Sequence, residues 1–281
     1  MPEIEINTPE NAIGVFDSGV GGLTVVKEIF SQMPNEEVVY FGDTGRYPYG
    51  TRSPERVRRL ALENSKLLLD FDVKIIVIAC NTASSVALDY LESALPVPVI
   101  GVVKPGAYAA ARTTRNGKIG IIGTNATIES KSYEKELKAL NPQIETVARA
   151  CPLFVALAEE GWTLGPIARM VAETYLADLR LTDIDTLILG CTHYPLLEGV
   201  ISETLGSGIK LVDSAESTVM EIHRLLQSAG AERKSDRKPT HRFLVSDAPE
   251  RFGATGARFL ERNIERVRKI DIEDDHSGQQ M

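Results

Sequence analysis

Short apolar runs separated by stretches with helical spacing punctuate this chain, and that alternation restricts it to a parallel α/β architecture. Residues 12–16, 38–41, 75–79, 97–103, 118–122, 144–148, 186–189, 209–212 and 241–245 read as about nine strands. Helical patterns fall at 23–32, from Ser53 to Leu68, at 82–95, 127–140, 166–179, from Pro195, and at 248–267. The helix beginning at Ser53-Pro54-Glu55 has its start written locally: a hydroxyl cap, proline at the first helical position and an acid in the first turn. Val57, Leu60, Ala61 and Leu67–Leu68 then recur at helical spacing, which sets this helix on a sheet.

Two of the runs end alike. Residues 75–82 read Ile-Ile-Val-Ile-Ala-Cys-Asn-Thr and residues 187–192 read Leu-Ile-Leu-Gly-Cys-Thr. A continuous apolar run in an open α/β fold is a buried parallel strand, and the residue at its carboxyl end faces the ligand crevice. The repeat predicts two similar doubly wound domains with parallel-rich sheets and an active site in the cleft between them. The expected division is 1–103 plus 214–281 for the first domain and 104–213 for the second, with Lys104-Pro105-Gly106 as a hinge. A single (β/α)8 barrel is the competing arrangement. The first dozen residues and the tail from Ile272 are expected to be loose, and the polar span 227–240 is expected to be a surface loop.

Composition narrows the function. A net charge of −8 argues against nucleic acid as a partner, because a phosphate backbone demands a basic stripe. Arg52, Arg56, Arg58 and Arg59 read as the solvated face of a helix instead. No segment resembles a signal peptide or a membrane span, so no membrane partner and a cytoplasmic location are expected. Three cysteines in a reducing compartment are free thiols, not a disulfide framework.

The glycine turn Gly19-Val20-Gly21-Gly22-Leu23-Thr24 has Thr24 where a dinucleotide fingerprint needs its third glycine, and it lacks the Gly-Lys-Ser/Thr of a phosphate loop. It can present backbone N–H groups to a small carboxylate. Neither a cofactor nor a metal is expected; no pyridoxal lysine motif is apparent.

An unpaired cysteine is usually a small buried hydrophobe, and Cys151 in Ala-Cys-Pro-Leu-Phe reads that way. Cys80 and Cys191 differ, since each stands at a predicted helix start, where free N–H groups bind carboxylates and favour a thiolate. Two thiols aimed at one substrate from two halves suit a proton taken from one face of a carbon and returned to the other. His193, two residues beyond Cys191, can orient or titrate that thiol, or serve as a hydrogen-bonded structural residue. Asp17, at the end of the first strand, either faces the crevice or caps the turn that follows it.

Asp17–Val25, Phe41–Gly50, Ala79-Cys80-Asn81-Thr82-Ala83 and Gly190-Cys191-Thr192-His193-Tyr194-Pro195 resemble, in unbroken order, the four signature blocks of the bacterial glutamate racemase family within the aspartate/glutamate racemase superfamily. The resemblance implies a cofactor-independent isomerase with one thiol on each side of glutamate Cα, supplying D-glutamate for peptidoglycan. It implies that Cys80 takes the proton from D-glutamate and Cys191 from L-glutamate, with Asp17 supporting Cys80. His193 and a glutamate, Glu159 in preference to its neighbour Glu160, would support Cys191. The implied substrate contacts are Asp17, Ser18, Tyr49, Gly50, Asn81, Thr82, Thr192 and His193. The expected partners are glutamate and a second copy of the chain.

Three other readings compete: an aspartate racemase of the same superfamily, a zinc hydrolase using Cys80, Cys191, His193 and Asp17, and a carboxylate-binding module without catalysis.

Overall fold

The computed structural model describes residues 8–272. The first part of the chain runs through β1 (Ala12–Asp17), α1 (Leu23–Gln32), β2 (Val38–Gly42), α2 (Pro54–Leu69), β3 (Val73–Ile78), α3 (Asn81–Ala94) and β4 (Val99–Gly101). Next come α4 (Val103–Thr113), β5 (Lys118–Gly123), α5 (Asn125–Ser130), α6 (Ser132–Leu140), β6 (Glu145–Ala150), α7 (Leu153–Glu160), α8 (Pro166–Leu176), β7 (Thr186–Gly190), α9 (Glu198–Leu205) and β8 (Lys210–Asp213). The last part holds α10 (Ser214–Ser228), β9 (Arg242–Val245), α11 (Pro249–Leu260) and β10 (Val267–Lys269).

The strands form two parallel sheets, ordered β10-β9-β2-β1-β3-β4 and β6-β5-β7-β8. Their cores share one winding: β2-β1-β3-β4 in the first corresponds to β6-β5-β7-β8 in the second. In each, the chain leaves the inner strand to one side and returns on the other, and the crevice of such a sheet lies at that reversal, beyond the carboxyl ends of the two inner strands. Cys80 follows β3 and Cys191 follows β7, so the thiols occupy equivalent places.

The apolar runs are continuous because both sheet faces are covered. Ile13, Val15, Ile75 and Val77 point into one cluster, while Phe16, Ile76 and Ile78 point into the cluster on the other face. The first cluster also takes Ile122, Leu187 and Leu189 of the second sheet, whose far face holds Ile119, Ile121 and Ile188. One apolar mass therefore joins the halves, and α10 lies along the seam, packed on both α1 and α4. At the start of α2 the Ser53 hydroxyl accepts the Arg56 N–H, with Pro54 at the first position.

Several expectations need correction. Lys104-Pro105-Gly106 closes no strand; it lies in the first turn of α4, where proline's missing N–H costs nothing. Gly106 is required there, because a Cβ would come 2.9 Å from the Ser214 Cβ. The helix expected at 127–140 is two helices, broken at Lys131 with φ +55°. The helix expected at 248–267 stops at Leu260, and the chain adds β10 to the sheet edge. Helix α7 was not expected.

Beyond the end of α10 at Ser228, the 227–240 span is the surface loop expected, and it is tied to the body of the protein. The buried Lys74 Nζ donates to the carbonyls of Pro9 (2.6 Å) and Ala231 (2.9 Å) and pairs with Glu36 at 2.7 Å. Arg233 N–H donates to the same Glu36 at 2.9 Å. The expected loose extension and tail lie largely outside the described residues. Among the described residues, no helix is long and apolar enough to cross a membrane.

Candidate active site

The site begins at the end of β1. Asp17 is buried, and its Oδ1 accepts the Gly19 N–H at 2.8 Å, which folds the chain into the glycine turn. Tyr40 Oη fixes that turn from below by donating to the Gly19 carbonyl at 2.8 Å. Two of the glycines are demanded by close approach. A Cβ on Gly22 would sit 2.6 Å from Asp17 Cβ, and one on Gly21 would sit 2.2 Å from Thr192 Oγ1 and 2.6 Å from the His193 ring. The turn of the first half is thus pressed against the thiol loop of the second. Burial pushes the Asp17 carboxyl pKa up, against the pull of His193 and the Gly19 and Gly22 N–H groups.

Cys80 is the capping residue of α3, yet its side chain makes no capping bond. Its Sγ instead donates to Ser18 Oγ at 3.7 Å. Burial, with the Asp17 charge beside it, pushes the Cys80 thiol up to about 12. Asn81 and Thr82 then open α3, and both reach across to the second half. Asn81 Oδ1 accepts the Tyr133 hydroxyl at 2.6 Å, while its buried Nδ2 has no partner among the described residues. Thr82 Oγ1 lies 2.9 Å from Thr124 Oγ1 and 3.4 Å from Thr127 Oγ1.

Cys191 stands just past β7, with its Sγ 3.8 Å from His193 Nδ1. Thr192 Oγ1 lies 3.4 Å from the same nitrogen and donates to Asp17 Oδ2 at 3.5 Å. On the other side of the ring, His193 Nε2 is 3.1 Å from Glu159 Oε1 at the end of α7. Burial works against a charged imidazole, but hydrogen bonds to Cys191 and Glu159 overcome it and raise the pKa of His193 to about 10. Burial likewise opposes the Glu159 carboxylate, and its bond to His193 outweighs that and lowers its pKa. The two form an ion pair at neutral pH.

Asp17, Ser18, Cys80, Asn81, Thr82, Cys191, Thr192, His193 and Glu159 therefore converge. Glu159, not the exposed Glu160, meets the histidine. Tyr49 is different: its hydroxyl is committed to Asp43 and accepts Asn64 Nδ2 at 3.0 Å, inside the first half. Its neighbour Gly50 does face the cleft, because a Cβ there would touch Thr124 Cβ at 2.8 Å. Cys151 is fully buried, with its Sγ 3.7 Å from the Arg149 carbonyl.

Sequence reasoning missed Thr124, Thr127 and Tyr133. Thr124 was findable, since it follows the apolar strand β5 just as Cys80 follows β3. Tyr133 carries no local signal, because its partner Asn81 is distant in the chain. The four residues of the zinc reading form no metal cage: among the described residues, no group of three His, Cys, Asp or Glu is placed to hold a metal ion. A broad groove between residues 95–101 and α10 contains neither thiol.

Two like-wound sheets, each aiming one thiol at a shared cleft, define a class of isomerase scaffold, and the chain belongs to the Asp/Glu/Hydantoin racemase family, whose sequence model matches residues 13–222. It is 51% identical over 265 residues to a glutamate racemase of Geobacter metallireducens, covering 94% of this chain and 98% of the relative. Among solved structures, glutamate racemase of Francisella tularensis in complex with D-glutamate matches with a TM-score of 0.89 and 38% identity, over 94% of this chain and 99% of that one. A glutamate racemase isoform of Bacillus anthracis matches with a TM-score of 0.88 and 42% identity, over 93% and 98%.

Proposed function

We propose that this chain interconverts L- and D-glutamate without a cofactor, by a two-thiol exchange of the Cα proton, and so supplies D-glutamate for peptidoglycan. The observation that carries this reading is the pair of buried thiols at equivalent strand ends, one backed by Asp17 and Ser18 and the other by His193 and Glu159. The near full-length relationship to glutamate racemases supports glutamate as the substrate.

In the L-to-D direction, the Cys191 thiolate removes the Cα proton and the Cys80 thiol delivers its own to the opposite face; the reverse reaction exchanges the roles. One thiolate and one thiol are needed together, since two thiolates flanking an anionic substrate repel, so the pair titrates as a unit. The environment of Cys80 favours its neutral form. His193 donates to the Cys191 sulfur and stabilises it when ionised. The very weakly acidic Cα–H requires a preorganised polar site at the carbanionic transition state.

The N–H groups at the start of α3, the unpartnered Asn81 Nδ2, and the Ser18, Thr82 and Thr192 hydroxyls suit two carboxylates; buried Asp17 suits the ammonium. Gly50 contributes through its backbone, and Thr124 and Thr127 extend the hydroxyl set. Catalysis would then lie between a domain of residues 1–103 plus 214–281 and one of 104–213, in a cytoplasmic homodimer. Exposed Trp162, Leu164, Ile167 and Met170 are candidates for the dimer face.

Circular dichroism of L-glutamate incubated with chelator-treated, pyridoxal-free protein tests the reading. The expected result is decay of the signal to zero, with deuterium entering Cα in heavy water. Faster decay with L-aspartate would favour the sister racemase, and binding without loss of signal would favour a carboxylate-binding module.

A further inference from the structure

Each half reaches onto the other's thiol arm. From the first half, the Phe259 ring on α11 meets the His193 ring edge-on, 5.2 Å between centroids, and Arg258 Nη2 donates to the Glu159 carbonyl. From the second half, the Tyr133 hydroxyl on α6 donates to Asn81 Oδ1 at 2.6 Å, one residue beyond Cys80. The second reach differs from the first, because it ends on a side chain whose other end, the buried Nδ2, is unpartnered among the described residues.

The Tyr133 ring occupies space that two glycines leave. A Cβ on Gly106 of α4 would lie 3.3 Å from its Cε1 and its Oη, and one on Gly190 would lie 3.2 Å from its Cε2. The ring is buried in the apolar cluster with Val103, Ile121, Leu137 and Ile188. Gly190 immediately precedes Cys191. One side chain therefore packs against the strand end that bears one thiol and bonds the residue that follows the other. Burial pushes the phenol above its ordinary range, so the hydroxyl keeps the proton that it donates.

Building on the two-thiol reading, we propose that Tyr133 is a positioning residue for substrate binding: its hydroxyl, supplied by the second half, fixes the Asn81 amide so that Nδ2 is the end offered to a substrate carboxylate. The two ends of an amide are nearly alike in size and shape, so packing alone does not choose between them; hydrogen bonding does. Held through Oδ1, the amide offers its N–H donors beside Cys80 and the start of α3. Turned over, it would offer an acceptor oxygen to an anion and take Oδ1 away from the buried phenol proton, and both changes cost binding or stability.

Tyr133→Phe keeps the ring between the two glycines and removes only the donor. Loss of an oriented donor to a charged group should lower kcat/KM about tenfold, equally in both directions because glutamate enantiomers have equal energy. The loss should fall mainly on KM, since the carboxylate is charged in the bound substrate as well as at the transition state. In an Asn81→Ala background the same change should cost less than about twofold, because no amide is left to orient. Ser132→Ala supplies the control. It removes the 2.9 Å bond from Ser132 Oγ to Ser85 Oγ, which joins the same two helices without touching Asn81. It should leave kcat/KM within about twofold, as expected of sites that share no partner.

A second readout needs no substrate. The Asn81 side-chain amide resonances, assigned by their absence from Asn81→Ala, should move towards those of a freely hydrated asparagine in Tyr133→Phe and stay in place in Ser132→Ala. An unchanged kcat/KM in Tyr133→Phe, a loss confined to kcat, a loss undiminished in the Asn81→Ala background, an equal loss in Ser132→Ala, or unmoved Asn81 resonances would each overturn the proposal. Failure of the unsubstituted protein to exchange the glutamate Cα proton would instead overturn the two-thiol reading, and the Asn81 resonances would still judge Tyr133.

Discussion

The two thiols sit at equivalent strand ends, yet their surroundings are unlike. Cys80 has a hydroxyl at 3.7 Å and a buried carboxylate nearby, a setting that holds on to its proton. Cys191 faces an imidazole that is itself backed by a carboxylate, a setting that carries a mobile proton one bond away. Enantiomers of equal energy require the two directions to balance in kcat/KM, but they place no demand on the shape of either arm. A repeated scaffold can thus supply symmetric positions while its loops supply different chemistry.

The most severe way to break this comparison is to remove either sulfur. Cys80→Ser and Cys191→Ser should each abolish racemisation, because each direction needs both an acid and a base. Each variant should still eliminate HCl from one enantiomer of 3-chloroglutamate, which needs only the surviving base, and chloride release measured on the two enantiomers would show whether the arms are one-sided.

Asp17→Asn and His193→Asn should both lower turnover by about 10²–10⁴-fold, the range for lost acid–base support. They should differ in their isotope effects. His193→Asn should raise the effect on L-glutamate and lower it on D-glutamate, and Asp17→Asn should do the reverse. The same shift in both variants would erase the distinction between the arms.

Glu159→Gln should cost less, about 10–100-fold, since it removes one charge-assisted bond at the far end of the relay. It should also change how stability depends on pH. The Glu159 contribution is present above its ordinary value of 4.5 and lost as pH falls through its lowered native value. The His193 contribution is complete below 6.5 and lost as pH rises towards about 10. The pair therefore stabilises the fold fully only between about pH 4.5 and 6.5, and melting temperatures of the Glu159→Gln variant should be flatter across both limbs.

The smallest effect should appear in thiol labelling. Asp17 raises the Cys80 pKa, so Asp17→Asn should lower it and speed iodoacetamide alkylation of Cys80 severalfold at pH 8, even as racemisation falls. Peptide mapping of the labelled protein would measure it.

Much of this arrangement was legible in the chain. The strand ends bearing Cys80 and Cys191 were marked by apolar runs that stop at a small residue, and the one bearing Asp17 by an apolar run that stops at an acid, signals contained within a few positions. Helix α7 was not legible, because Leu153–Glu160 is apolar along most of its length and follows proline without a capping side chain. The Tyr49 hydroxyl could not be placed either: it bonds Asp43 and Asn64 together, and that arrangement is set by how α2 lies over the loop. Tyr133 depends on its contact with Asn81 between the halves, and local spacing carries no record of that.

Helix α11 has a consequence in time as well as space. Synthesis proceeds from the amino end, so both thiols, Asp17, Glu159 and His193 leave the ribosome before Phe259 and Arg258, and β9 must pair with β2 to bring α11 alongside. At roughly 5–20 residues per second, the nascent chain spends several seconds with its reactive sulfurs made and its relay unroofed. The apolar cluster that holds Cys80 draws Phe16, Phe41, Val57, Ile78 and Ala83 from the early fold and Leu244 from β9, so most of the burial that keeps Cys80 protonated precedes α11.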